Sequence, residues 1–413
     1  MNGFAYREGA LYCEEVSLAE IAARAHTPCY VYSGAGILEN FRAYDESFGD
    51  APHLVCYAVK ANSNLSVLRL LAEAGAGFDI VSGGELFRVL KAGGDPAKVV
   101  FSGVGKTAGE VDEALAAGIF NFNCESEPEL ALIDSLAHRR AVKARVALRV
   151  NPNVKTDTHD YISTGSLAHK FGVNIDEAEA VYERARTLEN LALEGVSCHV
   201  GSLLLDPAPL MEAVDRVLDL IERLRARGFD IRHADLGGGL GVAYKPEDST
   251  PSIAEFVKAL TAKVAGRNLR VVLEPGRSIV AAAGVLLTKV LYRKRTGEKE
   301  FVIVDAAMND LIRPALYDAY HEILPVRQRA HGRIRADVVG PVCESGDFLA
   351  QDRDMAETMP GDVLAVCTAG AYGFVQSSTY NSRRRPAEVM VRNDQWRVVR
   401  ERETNEDLIR GEV

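Results

Sequence analysis

Between about residues 54 and 277, short β-branched runs alternate with amphipathic helical stretches, and this alternation is the strongest constraint on the fold. In the stretch 210–227, for example, Leu210, Val214, Val217, Leu218 and Ile221 recur at helical spacing. Eight successive strand–helix units predict a closed parallel (β/α)₈ barrel of the TIM type rather than an open doubly wound sheet. The predicted strands are residues 54–60, 78–81, 98–104, 119–125, 145–151, 193–201, 233–237 and 270–274.

The pattern changes after residue 288, where short alternating runs are separated by Gly, Pro and charged turns. Such runs are typical of an all-β domain of the barrel or sandwich type. Residues 1–30 carry β-like runs of their own, which can join the same sheet. We therefore expect a (β/α)₈ barrel at residues 31–277 and a discontinuous β domain at residues 1–30 and 278–413.

Composition excludes several classes of protein. Hydrophobic residues make up 47% of the chain and charged residues 26%, as in a soluble globular protein. The 48 basic and 58 acidic residues give a net charge of −10, which disfavours nucleic acid and anionic lipid as partners. The longest apolar stretch, around residues 279–287, is far shorter than the roughly 20 residues that span a bilayer. With no secretory signal and no closely spaced cysteine pair, we expect a cytoplasmic protein with reduced thiols.

Lys60 ends the first predicted strand, within Tyr57-Ala58-Val59-Lys60-Ala61-Asn62. Active sites of such barrels lie at the carboxyl ends of the strands. A buried ammonium is costly unless it is paired or used chemically. Two interpretations therefore stay open: Lys60 extends into solvent at the barrel rim, or it is a Schiff-base lysine whose pKa is lowered by burial.

Two loops at the same end of the barrel are suited to an oxyanion. Strand seven ends in Gly237-Gly238-Gly239 and strand eight in Glu274-Pro275-Gly276-Arg277, which are the usual positions of a phosphate site in this fold. The dinucleotide motif G-x-G-x-x-G is not present here. A lysine, a glycine-rich cradle and an acid together indicate pyridoxal phosphate, whose aldehyde, phosphate and ring nitrogen they match.

His199 ends strand six, within His199-Val200-Gly201-Ser202. A lone His in an apolar run is often only a core residue, but at this position its ring can also stack on a flat cofactor. No pair of His residues stands at metal-ligand spacing, so we expect no metal site.

These motifs resemble those of the fold-type III pyridoxal-phosphate decarboxylases, which join an alanine-racemase-like barrel to a C-terminal β domain. The resemblance covers essentially the whole chain. Within that group the sequence is most similar to the family of diaminopimelate decarboxylases, which implies conversion of meso-2,6-diaminopimelate to L-lysine and carbon dioxide. The discriminating segments are residues 311–317, 343–347 and 370–373, together with residues 161–165 and 170–172.

The resemblance also implies roles for individual residues. Lys60 would form the Schiff base with the cofactor, and His199 would stack on its ring. Phosphate and ring nitrogen would be held by Ser202, Gly238, Gly239, Glu274, Pro275, Gly276 and Arg277.

Further roles implied by the resemblance concern the substrate. Arg277, Arg313 and Tyr317 would bind its distal carboxylate, and Glu344 its distal ammonium. Tyr372 would contact both substrate and cofactor, and Cys343 would protonate the carbanion that remains after carbon dioxide leaves. In the family Cys343, Glu344 and Tyr372 come from the opposite subunit, which implies a homodimer with a shared active site.

Three alternatives stay open. Decarboxylases of ornithine, arginine or carboxynorspermidine share the barrel, but a substrate without a distal carboxylate would leave the guanidinium fork of Arg313 unmatched. A racemase would need a second acid or base early in the β domain, where Tyr292 lies. A non-catalytic carrier of pyridoxal phosphate would need neither the β domain nor Cys343. Two departures from the family pattern are Leu203, where many relatives have Gln, and Asp160, where relatives often have Pro.

Overall fold

The structure is a computed structural model, and it describes residues 2–154, 170–329 and 332–413. The chain divides into two compact units, which we call the barrel unit and the β unit. The barrel unit comprises residues Asn40–Val242 and Ser249–Ser278. The β unit comprises Met1–Glu39, Ala243–Asp248 and Ile279–Val413. Among the described residues, no helix is long and apolar enough to cross a membrane.

Eight parallel strands close into a barrel. Each pairs with the next, and strand 8 pairs with strand 1 through the registers Val271↔His53 and Leu273↔Val55. The predicted closed barrel is therefore confirmed. A two-residue strand, Val173–Asn174, extends the sheet beside strand 5. Strands 1 to 8 are His53–Ala58, Gly77–Ile80, Val99–Phe101, Asn121–Cys124, Ala144–Asn151, Leu191–Cys198, His233–Asp235 and Arg270–Leu273.

Amphipathic helices connect the strands, as the spacing predicted. The helix Ala208–Ala226 buries Leu210, Val214 and Leu218 along one face. Local sequence fixes helix ends: Ser82 caps one helix by accepting the Glu85 N–H, and Gly93 ends it in the left-handed conformation at φ 89°. The helices around the barrel are Leu65–Glu73, Gly83–Ala92, Ala108–Ala117, Glu127–Arg140, Ile175–Ala185, Ala208–Ala226 and Ile253–Val264.

The interior of the barrel changes in polarity along its axis. Cys56, Val100 and Val272, from strands 1, 3 and 8, form one apolar cluster with Phe120. These strands come from both ends of the barrel sequence, so the cluster depends on the closure that pairs strand 8 with strand 1. Toward the carboxyl ends the interior becomes polar, with buried Asp79, Asn123, Asp235, Ser102 and Glu274. The charged groups are thus concentrated at the end where barrels of this type carry their active sites.

The β unit contains a sheet in which an early segment of the chain lies between two late ones. Cys29–Ser33 pairs antiparallel with Gly284–Thr296 and parallel with Ala387–Arg392. Its core includes Val31, Val285, Leu287 and Val389, all fully buried. The sheet order is Phe348–Ala356, Arg333–Val339, Lys299–Val304, Gly284–Thr296, Cys29–Ser33, Ala387–Arg392, Gln395–Arg400. Val363–Val366 branches from Gly284–Thr296 and pairs in turn with Ile323–Pro325.

The remaining elements of the β unit are short. Phe4–Arg7, Ala10–Cys13 and Val16–Ser17 form a separate three-stranded sheet, followed by the helix Leu18–Ala25. A five-residue helix, Arg313–Tyr317, follows the strand Lys299–Val304.

Candidate active site

Lys60 lies in the 3₁₀ turn Val59–Ala61, directly after strand 1. Its Nζ donates a hydrogen bond of 2.9 Å to Oδ2 of Asp79, which lies on strand 2. The Asp79 side chain is fully buried, whereas that of Lys60 is 38% exposed. A buried carboxylate therefore holds the Lys60 ammonium at the carboxyl end of the strands and leaves part of it accessible to a ligand.

Glu274 and Asp235 form a buried pair of acids near this lysine. Glu274 Oε1 accepts hydrogen bonds of 3.1 Å from both Ser102 Oγ and Asn123 Nδ2. The same Asn123 nitrogen lies 2.8 Å from Asp235 Oδ2. Burial raises the pKa of Asp235 to about 6, and burial together with the nearby Asp235 raises the pKa of Glu274 well above its usual value. The pair therefore retains a proton near neutral pH.

Sequence reasoning found Glu274 but missed Asp79, Ser102, Asn123 and Asp235. A signal was present, because each is a polar residue within or directly after a short apolar strand. Nothing in the sequence showed that their side chains meet, since their hydrogen bonds cross between strands that are far apart in the chain.

The glycine-rich turn after strand 7 packs too closely for side chains. An added Cβ would lie 2.7 Å from Cys198 O and from His199 Nδ1 at Gly237, and 2.4 Å from Glu274 O at Gly238. Gly239 has φ +114°, and its Cβ would lie 2.7 Å from Gly201 O. The turn therefore depends on glycine, and its bare backbone can approach an oxyanion closely.

The turn after strand 8 is anchored to strand 1. Ala58 N donates a hydrogen bond of 3.1 Å to Pro275 O. A Cβ on Gly276 would lie 3.0 Å from the Cβ atoms of both Ala58 and Ala61. This turn thus abuts the segment that carries Lys60.

Arg277 is buried and directed toward strand 6. Its Nη2 and Nε lie 3.2 and 3.4 Å from Ser202 Oγ. Leu203, the departure noted in the sequence, adopts a left-handed backbone at φ 65°. Leu204 N then donates to Gly239 O at 3.0 Å, so the backbone after Ser202 supports the glycine turn.

His199 directly follows strand 6 and faces the glycine turn. Its Nδ1 lies 3.3 Å from the backbone nitrogen of Gly238, which donates to it. Burial and the nearby Arg149 and Lys60 charges hold the pKa of His199 well below its usual value. The ring is therefore neutral at physiological pH, which suits packing against an aromatic ring.

The predicted residues of the β unit begin with Arg313, at the start of the helix Arg313–Tyr317. Arg313 is buried, and its Nη1 lies 2.8 Å from Nε2 of His321. The guanidinium lies over the ring of Tyr244 at 4.6 Å from its centroid. Tyr317 is half-buried and follows four residues later, on the same side of the helix as Arg313.

Cys343 and Glu344 lie in an exposed loop of the β unit. Of the seven cysteines, Cys343 is the exposed one and the other six are buried. Its backbone nitrogen donates to Asn381 Oδ1 at 2.7 Å. Asp347 anchors the loop, because its two carboxylate oxygens accept hydrogen bonds of 2.7 Å from the backbone nitrogens of Met308 and Val342. A well-anchored loop thus presents an accessible thiol and carboxylate.

Tyr372 also lies in the β unit and adopts the left-handed region at φ 56°, which is rare for an aromatic residue. Gly370, two residues earlier, would place a Cβ 1.9 Å from Val280 O. Tyr292, on which the racemase alternative depends, is 66% exposed on the strand Gly284–Thr296.

Some expectations fall on residues that the structure leaves undescribed. The family-like segment 161–165 and the departure at Asp160 lie outside the described residues. Within the described residues, no group of three or more His, Cys, Asp or Glu side chains is placed to hold a metal ion.

Comparison with known proteins agrees with this geometry. The family model for the pyridoxal binding domain of pyridoxal-dependent decarboxylases matches residues 35–281. A diaminopimelate decarboxylase of Pseudomonas aeruginosa is 56% identical over 412 residues, covering 100% of this chain and 99% of the relative. The chain belongs to the diaminopimelate decarboxylase family.

Other diaminopimelate decarboxylases extend the match. The one from Aquifex aeolicus is 50% identical over 98% of this chain and 96% of its own length. The crystal structure from M. jannaschii in co-complex with L-lysine has a TM-score of 0.95 at 37% identity, covering 100% of this chain and 99% of that one. The Helicobacter pylori structure complexed with L-lysine has a TM-score of 0.91 at 44% identity, covering 95% of this chain and 98% of that one.

The predicted pyridoxal-phosphate decarboxylase is thereby confirmed, as is the barrel joined to a sheet-rich C-terminal domain. The residues of the barrel unit also fit the cofactor of diaminopimelate decarboxylases. They offer an accessible amine at Lys60, a cradle that a Cβ would fill at Gly238 and Gly239, and a proton-bearing acid at Glu274.

Proposed function

We propose that the protein decarboxylates meso-2,6-diaminopimelate to L-lysine and carbon dioxide, the last step of bacterial lysine synthesis, in the cytoplasm. The observation that carries the proposal is the carboxyl end of the barrel, where an amine, a glycine cradle and a proton-bearing acid pair lie together in a member of this family. All seven cysteines are free thiols, which supports a reducing compartment.

In this proposal the barrel unit holds pyridoxal phosphate. Lys60 binds the aldehyde, and His199 packs its neutral ring against the cofactor. The backbone of Gly238, Gly239 and Gly276 holds the phosphate with Ser202, beside Pro275 and Arg277. When bound, the cofactor withdraws the electron pair that the departing carbon dioxide leaves behind.

Glu274 holds a proton toward the ring nitrogen of the cofactor. The raised pKa values of Glu274 and Asp235 support this role, because an acid that keeps its proton near neutral pH can hydrogen-bond to a ring nitrogen or transfer the proton to it. Asn123 fixes the direction of both carboxyl groups through its Nδ2.

The β unit recognises the distal end of the substrate. Arg313 and Tyr317, with Arg277, bind the distal carboxylate, and Glu344 binds the distal ammonium. A guanidinium fork matches a carboxylate with two parallel hydrogen bonds, which an amine-ended substrate would leave unused. Tyr372 contacts both substrate and cofactor.

Cys343 supplies the proton that replaces the lost carboxyl group, from its Sγ to the substrate's Cα. Its exposure and the anchored loop beneath it support a role in which the thiol meets a ligand or another subunit rather than the core of its own unit.

We further propose that the enzyme is a homodimer in which Cys343, Glu344 and Tyr372 complete the site of the partner subunit. Support comes from the exposure of Cys343 and Glu344, and from three large apolar side chains that are exposed on the barrel unit: Val81, Phe87 and Leu90. Phe87 is 68% exposed and lies one turn before Leu90 on the helix Gly83–Ala92, so two exposed apolar side chains are neighbours on the helix surface.

Mixing two inactive variants tests the shared site. Lys60→Ala and Cys343→Ala homodimers should each be inactive. Subunit exchange would produce heterodimers with one intact site, and the mixture should recover roughly a quarter of wild-type activity if exchange is random. Light scattering of tagged chains would show whether the subunits have exchanged. A mixture that has exchanged but stays inactive would exclude a site shared in this way.

A substrate panel tests the reaction itself. We expect the purified holoenzyme to release carbon dioxide from meso-diaminopimelate at least about a hundredfold faster, by kcat/KM, than from lysine, ornithine or arginine. Equal or greater rates with ornithine would reject the proposed substrate and favour the related basic amino-acid decarboxylases.

A further inference from the structure

His321 is a buried side chain of the β unit that directly contacts Arg313. Its Nε2 lies 2.8 Å from Arg313 Nη1, and both residues are almost completely buried. Its ring also meets the ring of Tyr244 edge-on, with centroids 5.3 Å apart and an angle of 87° between the planes. Since the Arg313 guanidinium lies over that same Tyr244 ring, the guanidinium is held between an imidazole and an aromatic face.

The second ring nitrogen of His321 fixes the tautomer. Nδ1 lies 2.8 Å from the backbone oxygen of Cys367. A carbonyl oxygen can only accept, so Nδ1 must carry the proton, whereas a guanidinium can only donate, so Nε2 must be the acceptor. The neutral ring with its proton on Nδ1 is the one form that satisfies both partners, as assigned from the hydrogen-bond network.

The backbone around His321 is also held in place. Arg353 Nη1 donates to the His321 backbone oxygen at 2.7 Å. Cys367 N donates to the Glu322 backbone oxygen at 2.8 Å. The acceptor that faces Arg313 is therefore positioned by the protein and does not depend on a ligand.

We propose that His321 is a positioning residue that orients the guanidinium of Arg313 for the distal carboxylate of the substrate, an inference that rests on the proposed function. Two parallel hydrogen bonds to a carboxylate require the plane of the guanidinium to be fixed. A neutral imidazole takes one N–H of Arg313 and adds no negative charge. A carboxylate in the same place would orient Arg313 equally well, but it would compete with the substrate for the positive charge.

Two substitutions separate the two nitrogens of His321. In His321→Asn the amide nitrogen can replace Nδ1 and keep the bond to Cys367 O, but the shorter side chain offers Arg313 no replacement for Nε2. In His321→Gln the longer side chain can place its amide oxygen where Nε2 was. We expect His321→Asn to raise KM for meso-diaminopimelate about tenfold and to leave kcat within about threefold, because the distal carboxylate is bound equally in ground and transition states. His321→Gln should recover most of the lost affinity.

A double-mutant cycle with Arg313→Lys provides the decisive test. If His321 acts through Arg313, adding His321→Asn to Arg313→Lys should cause little further loss. Tyr320→Phe is a matched control on the same segment, since the Tyr320 hydroxyl bonds to Glu322, and it should retain wild-type KM.

Each outcome distinguishes this inference from the proposed function. If Arg313→Lys alone keeps wild-type kcat/KM, the assignment of Arg313 fails and His321 loses its role with it. If Arg313→Lys is impaired but His321→Asn keeps wild-type KM, only the positioning role is rejected. A full additional loss in the double variant, or an equal fall in kcat that Gln does not rescue, would also reject it and would indicate a purely structural residue.

Discussion

The two units differ in how far protein partners hold the side chains of the candidate site. In the barrel unit, Lys60, His199 and Glu274 are each fixed by a protein partner: a buried aspartate, a glycine N–H, and the Ser102–Asn123 pair. In the β unit, Arg313 is buried and fixed in the same manner, but Cys343 and Glu344 stand exposed on their loop. The groups that we propose to bind the cofactor are thus fixed by the protein, whereas the proposed proton donor, Cys343, is exposed to a ligand or a partner subunit.

The electrostatics of the two units follow the same division. The barrel unit buries three acids, Asp79, Asp235 and Glu274, near one lysine. Burying acids this close together is unfavourable unless they share protons or bind a cation. Arg313 of the β unit is instead a buried cation that contacts a neutral acceptor, although the same unit buries acids elsewhere, such as Asp310 and Glu388. The surroundings of Lys60 are therefore suited to hold protons, and those of Arg313 to hold an anion.

Removing the amine of Lys60 should have the largest effect on activity. Lys60→Ala should abolish the visible absorbance of the bound cofactor and essentially all turnover, because Lys60 is the amine that the turn directly after strand 1 supplies. Absorbance spectroscopy and carbon dioxide release measure both. Lys98→Ala, which removes a lysine elsewhere in the same unit, is the matched control. An unchanged cofactor spectrum in Lys60→Ala would disprove the assignment.

The exposed thiol should come next. Cys343→Ala should lose about 10²–10⁴-fold in kcat, the usual contribution of a general acid, while retaining the cofactor spectrum and the dimer. Steady-state kinetics, cofactor absorbance and light scattering test the three statements. Near wild-type turnover would show that Cys343 is not the proton donor, and the exposure of its loop would then have no bearing on catalysis.

The buried guanidinium should contribute less. Arg313→Lys keeps the charge but loses the fork, which should cost about 1.5–3 kcal/mol, or about 10- to 150-fold in kcat/KM for meso-diaminopimelate. Activity toward lysine, which lacks the distal carboxylate, should not fall in step. Arg335→Lys, at an exposed ion pair with Asp352 in the same unit, is the control. Retention of kcat/KM within about threefold would argue against the carboxylate role.

The amino end of the barrel should affect stability rather than catalysis. Burial, with the Arg270 and Arg145 charges, lowers the pKa of His233 to about 4. In the unfolded chain His233 takes up a proton at the ordinary histidine pKa of about 6.5. The contribution of the neutral, buried ring to the free energy of unfolding is therefore complete above that pH and is lost as the pH falls toward 4. At pH 5 the loss should be about 2 kcal/mol.

His233→Gln tests that pH dependence. The difference in urea midpoint between pH 7 and pH 5 should shrink in the variant, while kcat at pH 8 stays within about twofold of wild type. A pH dependence of stability identical to wild type would mean that His233 is not the group responsible.

The sequence predicted the periodic strands and helices of the barrel well, but it predicted the ends of the strands less well. All eight strands were found, because each is a local apolar run followed by a helix. Strand 1, however, ends at Ala58 and a 3₁₀ turn carries Lys60, whereas the apolar pattern extended the strand through Lys60. Propensity does not separate a strand from a single tight turn, and here the turn is what directs the side chain toward Asp79.

The sequence predicted those residues of the candidate site that stand in recognisable motifs, and it missed the others. Lys60, Glu274 and Arg313 stand in recognisable segments, but Asp79, Asn123 and His321 do not. Asp79 and Asn123 meet their partners only across the strands of the closed barrel. His321 lies near Arg313 in sequence, but its orientation depends on Cys367 O, which only the folded β unit brings to its Nδ1. Likewise, the short segment Ala243–Asp248 belongs to the β unit although it lies within barrel sequence, and no local pattern marks it.

The central position of the strand Cys29–Ser33 sets an order for folding during synthesis. One of its neighbours, Ala387–Arg392, leaves the ribosome only after the whole barrel sequence has been translated. The barrel can therefore close first, while the early strand stays without its last partner. A chain that stops before residue 387 would retain an uncovered strand edge, whose free backbone groups can pair with other chains. Truncated or stalled chains of this protein should therefore aggregate through the β unit even when their barrels are intact.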